Sequence, residues 1–510
     1  MKGALFGLVA LLVLGPISAA SQPVWHEETR FVYEPGVSPD GLGESVAVHG
    51  ERAILGAPAV GIANASAGYA VTVRYDDGSW TLPQKLQADD GQLDDRFGFS
   101  VAIDGALAVV GAPEADFMGD RTGAAYVFGL ESGDWIQQHS LLPEDGNGGL
   151  EFGTSVAVHG GTVLVGAPVI NIGELQTGEA YIYETEDGDV AHEQRLQFGD
   201  FSSVAAFGRS VALGENLAVI GVPNRGPGAQ NFGSVVLYDR QESGWEFKQE
   251  IEASDAEPQD VFGSSVSVDG EWLFVGAPRE DDGAANAGAV YVFGNSEGSW
   301  TQVDRLKAPT PIAEDRFGES VAVSGDRAVV GSSSNDEQGS GAGTLYTFAY
   351  DGGEWQFVEQ LFASDASIGD DFGASVAIDG DVIVAGAAGS NGDDSEESVG
   401  TVYFFRQEPP ATSIGEMPGG SDLPVEIDVY PHPVREGATL EFTTRQTQYV
   451  DVSIYDLLGR RVQLLHSGEL RSDQLHRFDV RTDQLSSGVY IVRLRGEWES
   501  ATRRIVLYRD

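Results

Sequence analysis

Phe97-Gly98-Phe99-Ser100-Val101-Ala102-Ile103-Asp104-Gly105-Ala106-Leu107-Ala108-Val109-Val110-Gly111-Ala112-Pro113 is the stretch that decides the fold. It reads as two short apolar strands joined at Asp104-Gly105, a dipeptide suited to the positive φ of a tight hairpin turn. The stretch recurs every 55 residues: Phe-Gly returns at Phe152-Gly153, Phe207-Gly208, Phe262-Gly263, Phe317-Gly318 and Phe372-Gly373, with a degenerate Leu42-Gly43 one period before Phe97. Thirteen residues after each of these glycines stand Gly56, Gly111, Gly166, Gly221, Gly276, Gly331 and Gly386, most of them opening Gly-Ala-Pro. A fixed period of this size marks a repeat architecture.

The second half of each unit adds another hairpin. Gly123 to Phe128 alternates small and aromatic residues as a strand does, the chain turns between Glu131 and Asp134, and it re-enters at Trp135. Four antiparallel strands repeated seven times predict a β-propeller, in which neighbouring blades cover each sheet's faces. Trp25, Trp80, Trp135, Val190, Trp245, Trp300 and Trp355 mark the outer strands, and no eighth tryptophan stands near residue 410. The segment Trp25 to Tyr33 is thus a spare outer strand, expected to pair with the strand ending at Tyr403-Phe404-Phe405 and close the ring. The inner strands are rich in Gly, Ala and Ser because backbones converge near the axis. Tyr126, Tyr181, Tyr291, Tyr346 and Tyr403 recur in the third strand and read as core.

The paired anchors resemble the FG-GAP repeat, the blade unit of integrin alpha-subunit propellers and of many bacterial surface proteins. The resemblance implies a rigid scaffold that presents loops to a protein or glycan partner. Many FG-GAP blades carry an Asp-x-Asp-x-Asp-Gly loop for Ca²⁺ between their first two strands. Here that connection is only a dipeptide, as at His49-Gly50, Asp104-Gly105, His159-Gly160 and Asp379-Gly380, so no metal or other cofactor is expected. The acidic clusters Asp89-Asp90 with Asp94-Asp95, Glu280-Asp281-Asp282 and Asp393-Asp394 with Glu396-Glu397 lack ligand spacing and read as solvated surface.

Lys2, the apolar run Ala4 to Leu14 and the small residues Ser18-Ala19-Ala20 read as a secretory signal peptide over 1–20, with the propeller over 21–407. Residues 408–423 are rich in Pro, Gly and Ser and read as a linker. Residues 424–510 hold several short alternating segments, among them Thr439 to Thr443, Val450 to Tyr455 and Val489 to Leu494, which predict a small Ig-like β-sandwich. This tail resembles the C-terminal sorting domain of type IX secretion cargo. The likeness is carried by Val429-Tyr430-Pro431-His432-Pro433, by Ile454-Tyr455-Asp456-Leu457-Leu458-Gly459-Arg460, by Ser487-Gly488-Val489-Tyr490 and by the closing Arg503 to Leu507. His432 stands where the family usually has Asn. The resemblance implies recognition by the outer-membrane secretion machinery, with release or attachment at the outer cell surface.

Seventy-nine acidic against 30 basic residues give a net charge of −49. Such a field disfavours nucleic acid and anionic membrane surfaces as partners and fits a salt-adapted organism, since molar salt shortens the Debye length to about 3 Å. Cysteine is absent, so disulfides and thiolate metal sites play no part. No apolar run is long enough for a transmembrane helix. The fold class expected is therefore all-β, a seven-bladed propeller closed by an N-terminal strand and followed by the sandwich, in a chain expected to be a monomer.

Three functions fit: an exported binding or adhesion protein, a structural envelope component without a discrete ligand, and a carbohydrate-active enzyme. The usual catalytic constellations are missing and His49 and His159 occupy turn positions, so the expectation is that the chain is not an enzyme. The loops after each Gly-Ala-Pro differ most between units, including Glu114 to Thr122, Arg279 to Ala287 and Ser334 to Ala342, and form the candidate recognition face. Their aromatic residues are few, Phe117 and Phe232 with Tyr69 nearby, which weighs against a glycan.

Overall fold

The computed structural model describes residues 24–32, 41–58, 67–76, 78–116, 121–143, 150–169, 171–172, 175–176, 178–186, 189–198, 206–226, 230–296, 298–389, 400–407, 428–430, 438–443, 448–455, 461–472, 474–480, 488–496 and 500–507. The segments 1–20 and 408–423, and Pro431, Pro433, Gly459 and Arg460, lie outside them. The described residues are all-β and fall into two compact units, 1–411 and 412–510.

The first unit consists of repeated four-stranded antiparallel sheets, an arrangement consistent with a propeller. The second of these sheets is typical, with strands Ser100–Asp104, Leu107–Ala112, Ala124–Glu131 and Asp134–Leu141 in sequential order. One sheet departs from this order: Ser375–Asp379, Val382–Ala387 and Thr401–Gln407 are completed by Trp25–Val32 from the start of the chain. The register runs from Trp25↔Gln407 to Val32↔Thr401, so the spare N-terminal strand pairs where the sequence placed it.

Two local readings need correction. The first strand begins at Ser100, not at Phe97. Phe97 instead forms an isolated parallel bridge to Gly68 of the preceding sheet, and its N–H donates to the Ala67 carbonyl at 2.8 Å. The turn residues are Gly105 and Ala106, with Asp104 paired to Leu107; only Gly105 has positive φ, at 59°, the pattern of a turn with glycine first. The Asp104 side chain reaches the next sheet instead, where its Oδ2 accepts the Gly160 N–H at 2.6 Å. His49 Nδ1 lies 3.3 Å from Asp104 Oδ1.

The Phe-Gly anchor packs as a repeated aromatic unit. Phe97, Phe152, Phe262, Phe317 and Phe372 lie with ring centroids 5.1–5.4 Å from Tyr126, Tyr181, Tyr291, Tyr346 and Tyr403 respectively, mostly edge to face. All ten rings are buried, each worth about 2–3 kcal/mol of transfer free energy. The tyrosines are core residues.

Neighbouring sheets are locked at the inner strands by a serine that follows each Phe-Gly. Ser45, Ser100, Ser155, Ser210, Ser265, Ser320 and Ser375 donate their hydroxyls to the carbonyls of Gly98, Gly153, Gly208, Gly263, Gly318, Gly373 and Gly43 at 2.6–2.9 Å. The last bond runs from Ser375 back to Gly43 and makes the series cyclic. The same carbonyls explain the second glycine anchor: a Cβ on Gly111 would overlap the Gly153 oxygen, and Gly56, Gly166, Gly221, Gly276, Gly331 and Gly386 are hemmed in the same way.

At the outer strands a second clasp joins adjacent sheets. Gln84 Oε1 accepts the Trp135 N–H at 2.7 Å while its Nε2 donates to the Trp135 carbonyl at 2.6 Å. Gln194 with Trp245 and Gln249 with Trp300 repeat the pair.

The second unit has two sheets. Asp428–Tyr430, Ala438–Thr443 and Leu475–Val480 form one; Arg461–Leu470, Gln448–Tyr455, Gly488–Gly496 and Ser500–Leu507 form the other. They share a core that includes Leu440, Phe442, Val452, Ile454, Val492 and Leu494.

Candidate functional site

Within each sheet of sequential strands in the first unit, the two hairpin turns lie at one end and the Gly-Ala-Pro loop, with the connection to the next sheet, at the other. Three of the loops at that second end are built alike despite their different sequences. In Arg279 to Ala287, Asp281 Oδ1 accepts the Asn286 N–H at 2.8 Å. Asp336 does the same for Gly341 at 2.8 Å, and Asp116 for Arg121 at 2.7 Å. A carboxylate five residues before its donor thus shapes three loops read as variable. Glu280 and Asn335, both buried, occupy the preceding position and accept the N–H of Asp282 and Glu337 at 2.9 and 3.1 Å.

A buried carboxylate lies beneath the loops, two residues before Phe-Gly. Asp95, Asp260, Asp315 and Asp370 are each less than 5% exposed. Oδ2 of Asp95, Asp260 and Asp370 accepts the N–H of Gln92, Glu257 and Ser367 at 2.7–2.8 Å. Asp315 Oδ2 instead accepts from Asn335 Nδ2 at 2.8 Å, tying the connection to the loop. Burial raises all four above the usual carboxylate range, and Asp260, with Glu280, Glu257 and Asp281 adding like charge, is pushed up to about 6. The next residue is left-handed in each case: Arg96, Val261, Arg316 and Asp371 have φ of 53–59°. For the β-branched Val261 this is a strained conformation held by the surrounding bonds.

In the sheet Ser265–Asp269, Trp272–Ala277, Ala289–Ser296, Ser299–Leu306, the loop is further held by Arg305. Its guanidinium reaches Glu280 and Asp255 and lies 5.4 Å from the Tyr291 ring, while Lys307 Nζ donates to the Asp282 carbonyl at 2.8 Å. Side chains left facing solvent include Asp281, Asp282, Asp336, Glu337 and Gln338. This end offers a braced, strongly acidic surface. Among the described residues no group of three or more His, Asp or Glu is arranged to hold a metal ion.

The repeat residues named from sequence occupy the inner joints between sheets, not this surface. Phe207 and Phe262, like the other anchors, are buried, and Gly98, Gly153, Gly208, Gly263, Gly318 and Gly373 all have φ near 90°. In the second unit Tyr455 ends a strand, Gly488 begins one and Tyr490 is buried opposite Ile505. The serine cycle, the glutamine clasp and the loop aspartates were missed, although the serine recurs in all seven units and the clasp glutamine and the loop aspartate in three each.

The FG-GAP repeat family model matches residues 80–128, 135–183, 245–293, 300–348 and 355–405. Each matched frame begins at an outer-strand tryptophan and ends in the third strand of the following sheet. The secretion system C-terminal sorting domain model matches residues 428–508. No curated protein matches the chain. Among solved structures, a fungal alcohol oxidase of the AA5 family in complex with copper is similar at 11% identity and a TM-score of 0.44, covering 95% of this chain and 100% of that one. A likeness at that level carries no argument here. Among the described residues no helix is long and apolar enough to cross a membrane.

Proposed function

This chain is an FG-GAP repeat protein that ends in a type IX secretion sorting domain, exported to the cell surface or secreted, and from that premise we propose that it is a non-catalytic binding protein whose braced loops engage a protein or glycan partner. In this reading residues 1–20 are a signal peptide, 21–407 a seven-bladed propeller, 408–423 a linker and 424–510 an Ig-like sandwich read by the secretion machinery. The protein acts as a monomer without a cofactor, in a salt-adapted cell whose proteome favours acidic surfaces.

One observation carries the reading. Loops that differ in sequence share one bracing scheme, Asp116, Asp281 and Asp336 each fixing a backbone N–H five residues on. Drifting loops have no reason to keep it, whereas a recognition surface needs loops that are variable outside and rigid beneath.

The test is capture from envelope extracts at molar salt by the exported protein, compared with a variant in which 279–287 and 334–342 are replaced by short Gly-Ser turns. Saturable capture of one partner, lost in the variant, supports the reading. Equal capture by both, or none by either, overturns it and leaves a structural envelope protein.

A further inference from the structure

The joint between the sheets Ser265–Leu306 and Ser320–Leu361 lacks two bonds found at other joints. Where three joints have the glutamine clasp, Asp304 stands here; its Oδ2 accepts the Trp355 N–H at 3.3 Å, but a carboxylate has no N–H to return to the carbonyl. A second inter-sheet bond is missing too. Trp245 Nε1 donates to Glu184 Oε1 of the preceding sheet at 3.2 Å. The position two periods after Glu184 is Gly294, and Trp355, two periods after Trp245, is 5% exposed with its Nε1–H buried and without an acceptor. Trp300 shares the unpaired N–H but keeps its clasp through Gln249.

With both bonds gone a cleft of about 430 Å³ opens, lined by Trp272, Asp304, Tyr350, Glu354 and Trp355 among others. Trp272 is half-buried; its ring centroid lies 4.6 Å from that of Tyr350 and 5.4 Å from that of Trp355, so the three rings form one aromatic wall. A Cβ on Gly294 would stand 3.2 Å from Val303 and 3.7 Å from Trp272, two residues that line the cleft, so the glycine leaves room there. The cleft lies at the hairpin-turn end of the sheets, away from the Gly-Ala-Pro loops.

We propose that this cleft binds a neutral pyranose unit of a glycan. Apolar rings with a few convergent polar groups are the usual make-up of a small-molecule site. The polar groups discriminate among ligands. Asp304 and Glu354 line the cleft with hydrogen-bond acceptors, which sugar hydroxyls satisfy as donors while the CH face of the ring packs on Trp272. An organic cation would use the same rings and carboxylates through its charge, whereas a pyranose uses the rings through its CH face and the carboxylates through its hydroxyls, and the titration below separates the two. A glycan at this end goes beyond a partner at the loops, and the two sites are separable.

The test is titration of the full exported protein, followed by tryptophan fluorescence, with neutral oligosaccharides of different linkage and, separately, with tetramethylammonium chloride. Saturable binding of at least one saccharide is expected, weakened about tenfold or more by Trp272→Ala. Gly294→Glu supplies the carboxylate that the indole lacks and fills the cleft; it is expected to abolish saccharide binding while keeping or raising the thermal midpoint, which separates loss of the site from loss of the fold. Replacing 279–287 and 334–342 should leave the titration unchanged, so failure of the loop-face reading and failure of this one are distinguishable. No saturable change with any saccharide, binding of tetramethylammonium alone, or saccharide binding unaffected by both Trp272→Ala and Gly294→Glu would overturn the proposal.

Discussion

Trp25 donates its backbone N–H to Oε1 of Glu359, 334 residues later in the chain, at 2.6 Å. The bond stands where glutamine clasps Trp135, Trp245 and Trp300, so the joint that seats the N-terminal strand uses a partly buried carboxylate in place of an amide. Burial raises the Glu359 carboxyl above its usual range.

Glu359→Gln should therefore keep the accepted bond, add a donor for the Trp25 carbonyl and remove the cost of burying charge at neutral pH. The expected result is an unchanged or higher thermal midpoint at pH 7. Glu359→Ala, which leaves the N–H without its acceptor, should cost about 1–2 kcal/mol. Calorimetry of the two variants decides between a clasp and an incidental contact.

At the inner joints, Gly111→Ala forces a methyl group into the Gly153 carbonyl and should leave little soluble folded protein. Gly105→Ala, at a turn where an added Cβ meets nothing within 4 Å, should cost only about 1 kcal/mol from its φ of 59°. Ser100→Ala should cost about 1 kcal/mol, and the double variant with Ser265→Ala, at a non-adjacent joint, about twice that. Denaturant midpoints in the series would expose any long-range coupling as a departure from the sum.

Asp260 titrates near 6 in the folded chain, above the ordinary aspartate value of 3.8. Between those values the folded state holds its proton more tightly than the unfolded state, so this group's favourable contribution is complete below 3.8 and is lost as pH rises through about 6. Asp260→Asn keeps an oxygen to accept the Glu257 N–H. It should be more stable than the parent by about 1–2 kcal/mol at pH 7–8, with the difference vanishing toward pH 4. A difference independent of pH would show that the carboxylate bears no burial cost.

The net charge of −49 gives a salt dependence with a definite sign. Raising KCl from about 0.1 M to about 1 M shortens the Debye length from about 10 to about 3 Å and should raise the thermal midpoint steadily. A flat response would mean that the acidic surface serves solubility alone.

The sequence made the strand order legible because turn chemistry and alternation are local signals, and even the long-range pairing of Trp25 with the last hairpin followed from counting tryptophans. What escaped was whatever depends on the neighbouring unit. Ser100 looked like one more small residue in a crowded strand; its partner, Gly153, lies 53 positions away, and only the stacking of sheets brings them together. The aromatic cleft was invisible for a related reason. Trp272, Gly294 and Trp355 are unremarkable one by one, and the site arises from what Gly294 and Asp304 fail to supply. The loop aspartates were hidden in the opposite way, inside segments whose variety drew attention from the position that Asp116, Asp281 and Asp336 share.

Pairing Trp25 with Gln407 also orders events in time. The strand Trp25–Val32 is made well before the strand Thr401–Gln407 with which it pairs, so the final sheet cannot form progressively as the others can. Until then Trp25, Phe31 and Val32 belong to an unpaired edge, interrupted by His26, Glu27, Glu28 and Arg30, whose charges discourage pairing with other chains. The search for this one distant contact, more than the stability of any single sheet, governs how quickly the fold completes.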